Sequence, residues 1–320
     1  MSNNEFFKFK TGFTGGTELM AQLFHERVGP YLPLAEKFNC ILLPGVISLP
    51  SYHSLLEQDK DIVLWLHNNP NEFLPPVDLN FFRNAEFHKK LRCVITVSDY
   101  AKKQLVEQSG ISSDKVVTIY NAVDEIPLNL NKHKDTLIPR LIYVSQPERG
   151  LLVALRALHQ RTEEFTFDIY GDVPDEFLMT LPRNVHTDAR FIFHGRRPHE
   201  EVLAAISDSH IFVYPATWYE TFCVSLVEAV VAECIAVYNS IGSLKEVGMG
   251  YGITYLHENL HDMDGHILKL NNALDKAFRL LTSSRFDPSI QRQEVSHRYS
   301  HENFVISWFN LASKLMASSN

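Results

Sequence analysis

Short runs rich in Ile, Val, Phe and Tyr recur along the chain, and most of them show no polar alternation. Such near-continuous apolar runs are what strands covered on both faces of a parallel sheet require. In the first part they fall at Cys40–Leu43, Ile62–His67, Cys93–Ser98 and Val116–Tyr120. They recur at Leu141–Ser145, Phe165–Tyr170, Phe191–His194, Ile211–Tyr214, Ile235–Tyr238 and Ile253–Leu256. Helical patterns lie between them at Thr17–Arg27, Tyr100–Gln108, Leu151–His159, Glu200–Asp208 and Cys223–Glu233. A β–α alternation of this spacing reads as a doubly wound α/β architecture.

The two series are separated by NLNKHKDTLIPR, Asn129 to Arg140, a polar stretch ending in proline that reads as a linker. A chain of 320 residues with 45% hydrophobic content can bury a sizeable core and has room for about two domains. The expectation is therefore two facing Rossmann-like domains, residues 1–130 and 138–300. A ligand would sit in the cleft outside the carboxyl ends of the strands. Beyond Leu256 only helical patterns remain, near His266–Leu281, Ser289–Tyr299 and His301–Met316.

Composition removes several classes. With 30 basic and 38 acidic side chains the net charge is −8, which argues against nucleic acid as a main partner. Four cysteines, Cys40, Cys93, Cys223 and Cys234, form no CxxC pair, which speaks against a disulfide framework or a zinc ribbon and for a reducing compartment. MSNNEFFKFK lacks the apolar core of a signal peptide. The most apolar stretch, Phe222 to Tyr238, is interrupted by Glu228 and Glu233, so no transmembrane segment is expected. A soluble, cytoplasmic protein is the expectation.

Four places could carry chemistry. Gly12-Phe-Thr-Gly15-Gly16-Thr17 runs into a helix, and glycines ahead of a helix N-terminus suit an anion; a plain turn capped by Thr17 is the equal alternative. SQPERGL, Ser145 to Leu151, follows a strand and sets Arg149 at a helix start. The macrodipole does not favour a cation there, whereas a pyrophosphate would. In PATWYETFCVSLVEAV, Pro215 to Val230, Glu220 sits in a loop after a strand and Glu228 about two turns into the next helix. Their spacing of eight is worthless alone, since Glu18/Glu26 and Glu294/Glu302 share it. Context sets the pair apart: a carboxylate accepts from sugar hydroxyls, and free N–H groups at Thr221–Cys223 suit a phosphate. His67 closes an apolar strand where this architecture places ligands, though a lone histidine there is more often structural.

One motif competes. His257-Glu258-Asn259-Leu260-His261 matches HExxH, which binds zinc when a helix sets both histidines on one face. Here it follows a strand directly and runs into Asp262-Met-Asp264-Gly265, poor material for a helix interior. A zinc hydrolase through these residues is a remote alternative.

Taken together, these segments resemble the family 4 retaining glycosyltransferases of the GT-B fold over nearly the whole chain. The resemblance is carried by Arg149-Gly150 after a strand, IYGD at Ile169–Asp172, FHGR at Phe193–Arg196, and YPATWYETF with Glu228 and the Gly242…Glu246 turn. ITVSDYAKKQL from Ile95 and VVTIYNAVD from Val116 add to it. It implies a retaining, metal-independent transfer of a sugar from a UDP-, GDP- or ADP-sugar to an acceptor hydroxyl on a glycan, protein or small molecule, as in glycan synthesis, with no obligatory cofactor. By the same resemblance Glu220 contacts the transferred sugar, Glu228 the ribose diol, and His67 lies near the reacting sugar. Arg149 faces the pyrophosphate with N–H groups of Thr221, Phe222 and Cys223 and the Gly15–Gly16 loop. Ser145, Gly171, Gly195 and Arg196 line the nucleotide, and a final helix, about 301–317 with Trp308, returns to the first domain. The chain departs from the family in offering only Arg149 where an Arg and a Lys are usual, in reading Asn121-Ala122 for asparagine-glycine, and in a short first domain. A non-catalytic nucleotide-sugar-binding or scaffold protein of the same fold is the second reading.

Overall fold

The computed structural model describes residues 16–32, 38–43, 61–67, 82, 84–129, 132, 138–181, 183–283 and 286–317. Its contacts divide the chain into two units. One comprises Met1–Ala122, Glu220–Phe222 and Tyr299–Asn320; the other comprises Val123–Tyr219 and Cys223–Arg298.

The first unit has a four-stranded parallel sheet of β1 (Phe38–Leu43), β2 (Asp61–Leu66), β3 (Leu91–Thr96) and β4 (Val116–Thr118), in that spatial order. Among the described residues its α-helices are α1 (Gly16–Arg27), the short α2 (Ala85–Lys90), α3 (Asp99–Ser109) and α12 (His301–Ala317). Period-two alternation sends β2 side chains both ways, and both sides are buried. Ile62 and Leu64 join Phe87, Leu91, Val94 and Leu105 in one core cluster. Trp65 meets Phe24 of α1 and Trp308 of α12, with ring centroids 5.8 and 4.9 Å away. The third strand ends at Thr96, two residues before the expected limit, because Ser98 leaves the sheet to cap α3: its Oγ accepts from the Ala101 N–H at 3.1 Å.

The second unit holds a six-stranded parallel sheet of β5 (Arg140–Val144), β6 (Thr166–Tyr170), β7 (Phe191–Gly195), β8 (Ile211–Tyr214), β9 (Ile235–Asn239) and β10 (Ile253–Tyr255). The spatial order is β10-β9-β8-β5-β6-β7. Helices α4 (Leu151–His159), α5 (Asp175–Met179), α6 (Arg183–His186), α7 (His199–Asp208), α8 (Val224–Val231), α9 (Leu244–Val247), α10 (Met263–Leu281) and α11 (Ser289–Arg298) complete it. Every residue of β8 and β9 is buried, as the unbroken apolar runs require. Helix α8 stops at Val231, short of the expected Glu233, which takes a left-handed backbone (φ 65°). There the N–H groups of Glu233 and Cys234 donate to Val230 and Ala229, and the chain passes at once into β9.

The described part of the polar stretch beginning at Asn129 is held by the second unit. The Asn129 amide donates to Asp208 at 2.9 Å, and the buried Lys132 ammonium donates to the Ala232 carbonyl at 2.7 Å. Just ahead of it, Ser207 Oγ donates to the Pro127 carbonyl at 2.7 Å. In the division by contacts the second unit begins at Val123.

Phe212 lies fully buried in the middle of the second sheet. Truncation leaves a cavity that neighbouring strands cannot close, so Phe212→Ala should cost about 3–5 kcal/mol, read as a lowered urea midpoint.

Candidate active site

The strand order of the second sheet reverses at β5 and β8, which lie side by side. Such a switch point is where open α/β sheets hold ligands, outside the carboxyl ends of the strands. The loops leaving those ends are knit together by backbone. After β5, Ser145 N–H donates to Tyr170 O at 3.2 Å, and Gly171 N–H donates to Gly195 O at 3.1 Å. Gly171 has φ 144°, and a Cβ there would come within 2.2 Å of the Ser145 carbonyl, so only glycine lets the chains pass. Ser145, Gly171 and Gly195 are thus brought together, and Arg196 follows on the exposed side of that turn.

On the other flank of β5, Gly150 (φ 128°) runs against the loop after β8: a Cβ would sit 2.1 Å from the Pro215 carbonyl. Thr217 fastens the approach, its N–H donating to Arg149 O at 3.3 Å and its hydroxyl to Glu148 O at 2.7 Å. The Arg149 guanidinium lies 5.6 Å from the centroid of the partly exposed Trp218 ring, a cation–π contact that restricts where the charge can go. Asn239, fully buried at the end of β9, ties the remaining loops: its amide donates to Ala216 O and His257 O and accepts from His257 N–H. Nothing local in the sequence singles out Thr217, Trp218 or Asn239, since each acts on a loop distant along the chain.

Cys223 is the N-cap of α8 and supplies no side-chain cap; its thiol lies 3.4 Å from Ser225 Oγ instead. The side chain of the N-cap residue thus leaves the first N–H groups of this helix to other partners, and such groups favour an anion. Glu228 follows a little over one turn later and is buried, 2% exposed. It is neither solvated nor isolated: Oε1 lies 2.7 Å from Nε2 of His199, the first residue of α7. This pair, with its carboxylate and hydrogen bond, raises the His199 pKa above the ordinary value.

In the first unit, His67 follows β2 and is buried beside Trp65, ring centroids 4.7 Å apart. Burial pushes its pKa down from 6.5 to about 3, so the imidazole is neutral at physiological pH. Its carbonyl accepts from the Thr221 hydroxyl. Glu220, Thr221 and Phe222, all buried, group with this unit, and the Phe222 ring meets Tyr299 edge-on at 5.4 Å. Gly16 opens α1; Gly15 and the residues before it lie outside the described residues.

The HExxH sequence does not make a zinc helix. His257 to His261 form the connection from β10 to α10, with His257 buried and Glu258 and His261 exposed. His257 Nε2 lies 2.9 Å from the Asp262 carbonyl oxygen, and its ring stacks on His266. Helix α10 begins directly afterwards. Asp262 and Asp264, unsuited to a helix interior, serve its start, Asp262 accepting from the Gly265 N–H at 3.0 Å. Among the described residues no group of three His, Cys, Asp or Glu side chains is arranged to hold a metal ion.

Two family models match successive parts of the chain: "Glycosyltransferase Family 4" over residues 31–125 and "Glycosyl transferases group 1" over residues 130–268. The chain is related to these glycosyltransferases. An uncharacterized 41.2 kDa protein in the cps region of Klebsiella pneumoniae is 26% identical over 220 residues, 63% of this chain and 59% of that protein. A phosphatidylinositol N-acetylglucosaminyltransferase subunit of Arabidopsis thaliana is 25% identical over 228 residues, 69% of this chain and 47% of that protein. The chain thus spans less than two thirds of either relative. Among solved structures, HepE of Anabaena in complex with UDP superposes with a TM-score of 0.71 at 16% identity, covering 93% of this chain and 82% of that one. The likeness is one of fold: the two Rossmann-like units are those of GT-B.

The buried, neutral His67 has a consequence for stability. Below about pH 6.5 the unfolded chain binds a proton at this histidine that the folded chain refuses until about pH 3. Stability should therefore fall as pH drops through that window. Urea midpoints measured from pH 7 to pH 4 should decline less steeply in His67→Leu than in the parent.

Proposed function

We propose that this chain is a retaining glycosyltransferase that takes a sugar from a UDP-, GDP- or ADP-sugar and passes it to an acceptor hydroxyl. The observation that carries the reading is the set of loops knit at the carboxyl ends of β5, β6, β7 and β8. They present backbone groups, the guanidinium groups of Arg149 and Arg196 and the N-terminus of α8 from a single edge of the sheet. The family matches support it, as does the likeness to a protein whose structure holds UDP.

Departure of the nucleotide develops negative charge on phosphate and positive charge on the anomeric carbon. In this reading Arg149 and the N–H groups around Thr221, Phe222 and Cys223 stabilise the phosphate charge, with help from the Gly15–Gly16 sequence. Preorganised donors aimed at developing charge are among the strongest aids to catalysis that a protein can supply. Glu220 orients the sugar and stabilises the developing cation. His67, held neutral by burial, serves as a hydrogen-bonding group and not as a charge. Glu228 takes the ribose diol, while Ser145, Gly171, Gly195 and Arg196 line the nucleotide. Charge neutralisation by Arg149 and helix N–H groups calls on no metal ion. A two-carboxylate hydrolase would leave Arg149 and the knit loops without a task.

The reading includes a cytoplasmic enzyme, in which Cys93, Cys223 and Cys234 are buried and in no disulfide. No helix among the described residues is long and apolar enough to cross a membrane. A second reading, nucleotide-sugar binding without turnover, is favoured by one observation: the single basic side chain of the Ser145–Gly150 loop rests on the Trp218 ring.

Nucleotide release and thermal shift with UDP-, GDP- and ADP-sugars, with and without hydroxyl acceptors, separate the two. Turnover is expected with at least one donor. Glu220→Ala and Arg149→Ala should each lower it tenfold or more, about 1.4 kcal/mol of barrier. Wild-type rates in either variant contradict that residue's role, and stabilisation without release under any acceptor favours the binding protein.

A further inference from the structure

Glu228 is buried on a helix otherwise built of Val, Leu, Ser and Ala. A carboxylate in that setting is costly unless it is paired. Its partner is His199, at 2.7 Å, and this is the only hydrogen bond to the carboxylate among the described residues. The pair spans two helices and 29 residues of chain. His199 itself sits in an unfavourable place for a cation, at the first residue of α7, where the macrodipole is positive. What offsets this is a set of acidic groups around the ring. Glu228 faces it from α8, Asp124 from the segment after β4 with Oδ2 3.9 Å from Nδ1, and Glu200 from the same turn of α7.

The two ring nitrogens thus meet two different carboxylates. An ionised carboxylate only accepts, so Nε2 must carry a proton toward Glu228. A lone pair on Nδ1 would face Asp124, so the doubly protonated ring fits the geometry best. A bond to Oε1 fixes the rotation of the Glu228 carboxylate and leaves Oε2 to accept from a ligand.

We propose that His199 is a positioning residue that holds Glu228 in the orientation that recognises the ribose 2′- and 3′-hydroxyls of the donor nucleotide. This rests on the reading of the site as a nucleotide-sugar site. The hydrogen bond to Glu228 and the acidic surroundings raise the pKa of the ring above its ordinary value. With one proton left at higher pH the ring can donate toward Glu228 or toward Asp124 but not both, so the bond to Glu228 is made only part of the time and the hold on its carboxylate loosens. Affinity for ribonucleotides should therefore fall on the alkaline side, through His199.

The test is calorimetric binding of UDP, GDP and ADP and of their 2′-deoxy forms to the full chain, from pH 6 to pH 9. The wild type should prefer the ribonucleotide of whichever base binds, by about tenfold for one hydrogen bond to a charged group. His199→Ala should lose that preference by weakening the ribonucleotide alone. His199→Gln keeps an N–H donor but has no titrating ring, so it should retain most of the preference and lose the alkaline fall. A His199→Ala variant that weakens both forms equally, or keeps the preference, overturns the proposal. If that variant does not fold, a His199→Gln variant with the wild-type pH profile overturns it as well. A wild type that binds none of the nucleotides removes the functional reading itself. One that binds and discriminates by ribose, while the His199 variants behave like it, removes only the role of His199.

Discussion

Parallel strands force every crossover to leave from one end of the sheet, and in the second unit all six strands obey that constraint. The loops at the carboxyl ends are therefore crowded onto one edge and must pass one another closely. The structure meets the crowding with absent side chains and shared backbone bonds. Gly171 slides beneath the Ser145 carbonyl and Gly150 beneath that of Pro215, approaches no Cβ permits. Thr217 and Asn239 then lock neighbouring loops. The result is a rigid rim whose backbone groups are oriented by the fold itself, and rigidity of that kind lets donors act on developing charge without reorganising.

Charge is distributed on this frame in a way the net value of −8 does not describe. Arg149 and the start of α8 set positive charge and N–H donors on that rim. The acids of the Pro215–Val230 segment are not surface acids: Glu220 and Glu228 are both buried, and Glu228 is matched by His199. His67 shows the opposite use of burial, since desolvation keeps the ring uncharged. Two histidines in one chain are thus driven in opposite directions, His67 by the loss of water and His199 by adjacent carboxylates.

Much of the fold was legible because its governing signal is local. Short unbroken runs of β-branched and aromatic residues such as Ile211–Tyr214 and Ile235–Tyr238 fit strands buried on both faces, and the long helices show their periodicity. Short helices escaped for the same reason in reverse: Ala85–Lys90, Asp175–Met179, Arg183–His186 and Leu244–Val247 span too few turns to establish a period. Ends moved where one residue had a stronger local option, as when Ser98 capped a helix and Glu233 turned left-handed. The candidate site divides likewise. Arg149, Glu220 and Glu228 could be picked out from their places after strands, but the His199–Glu228 pair joins residues 29 apart and leaves no pattern in either segment. The HExxH match erred in the other direction, because a motif without its helix has the letters and not the geometry.

The central claim is that the carboxyl-end rim of β5, β6, β7 and β8 binds a nucleotide sugar. Amide hydrogen exchange with and without saturating UDP-, GDP- or ADP-sugar tests it most directly, because it reads the place of binding and not only its occurrence. The expected result is slowed exchange at residues 145–150, 171–172, 195–196 and 221–225, with the edge strand β10 unchanged. Protection confined to other segments by a donor that binds, or no change with any donor, would contradict the account.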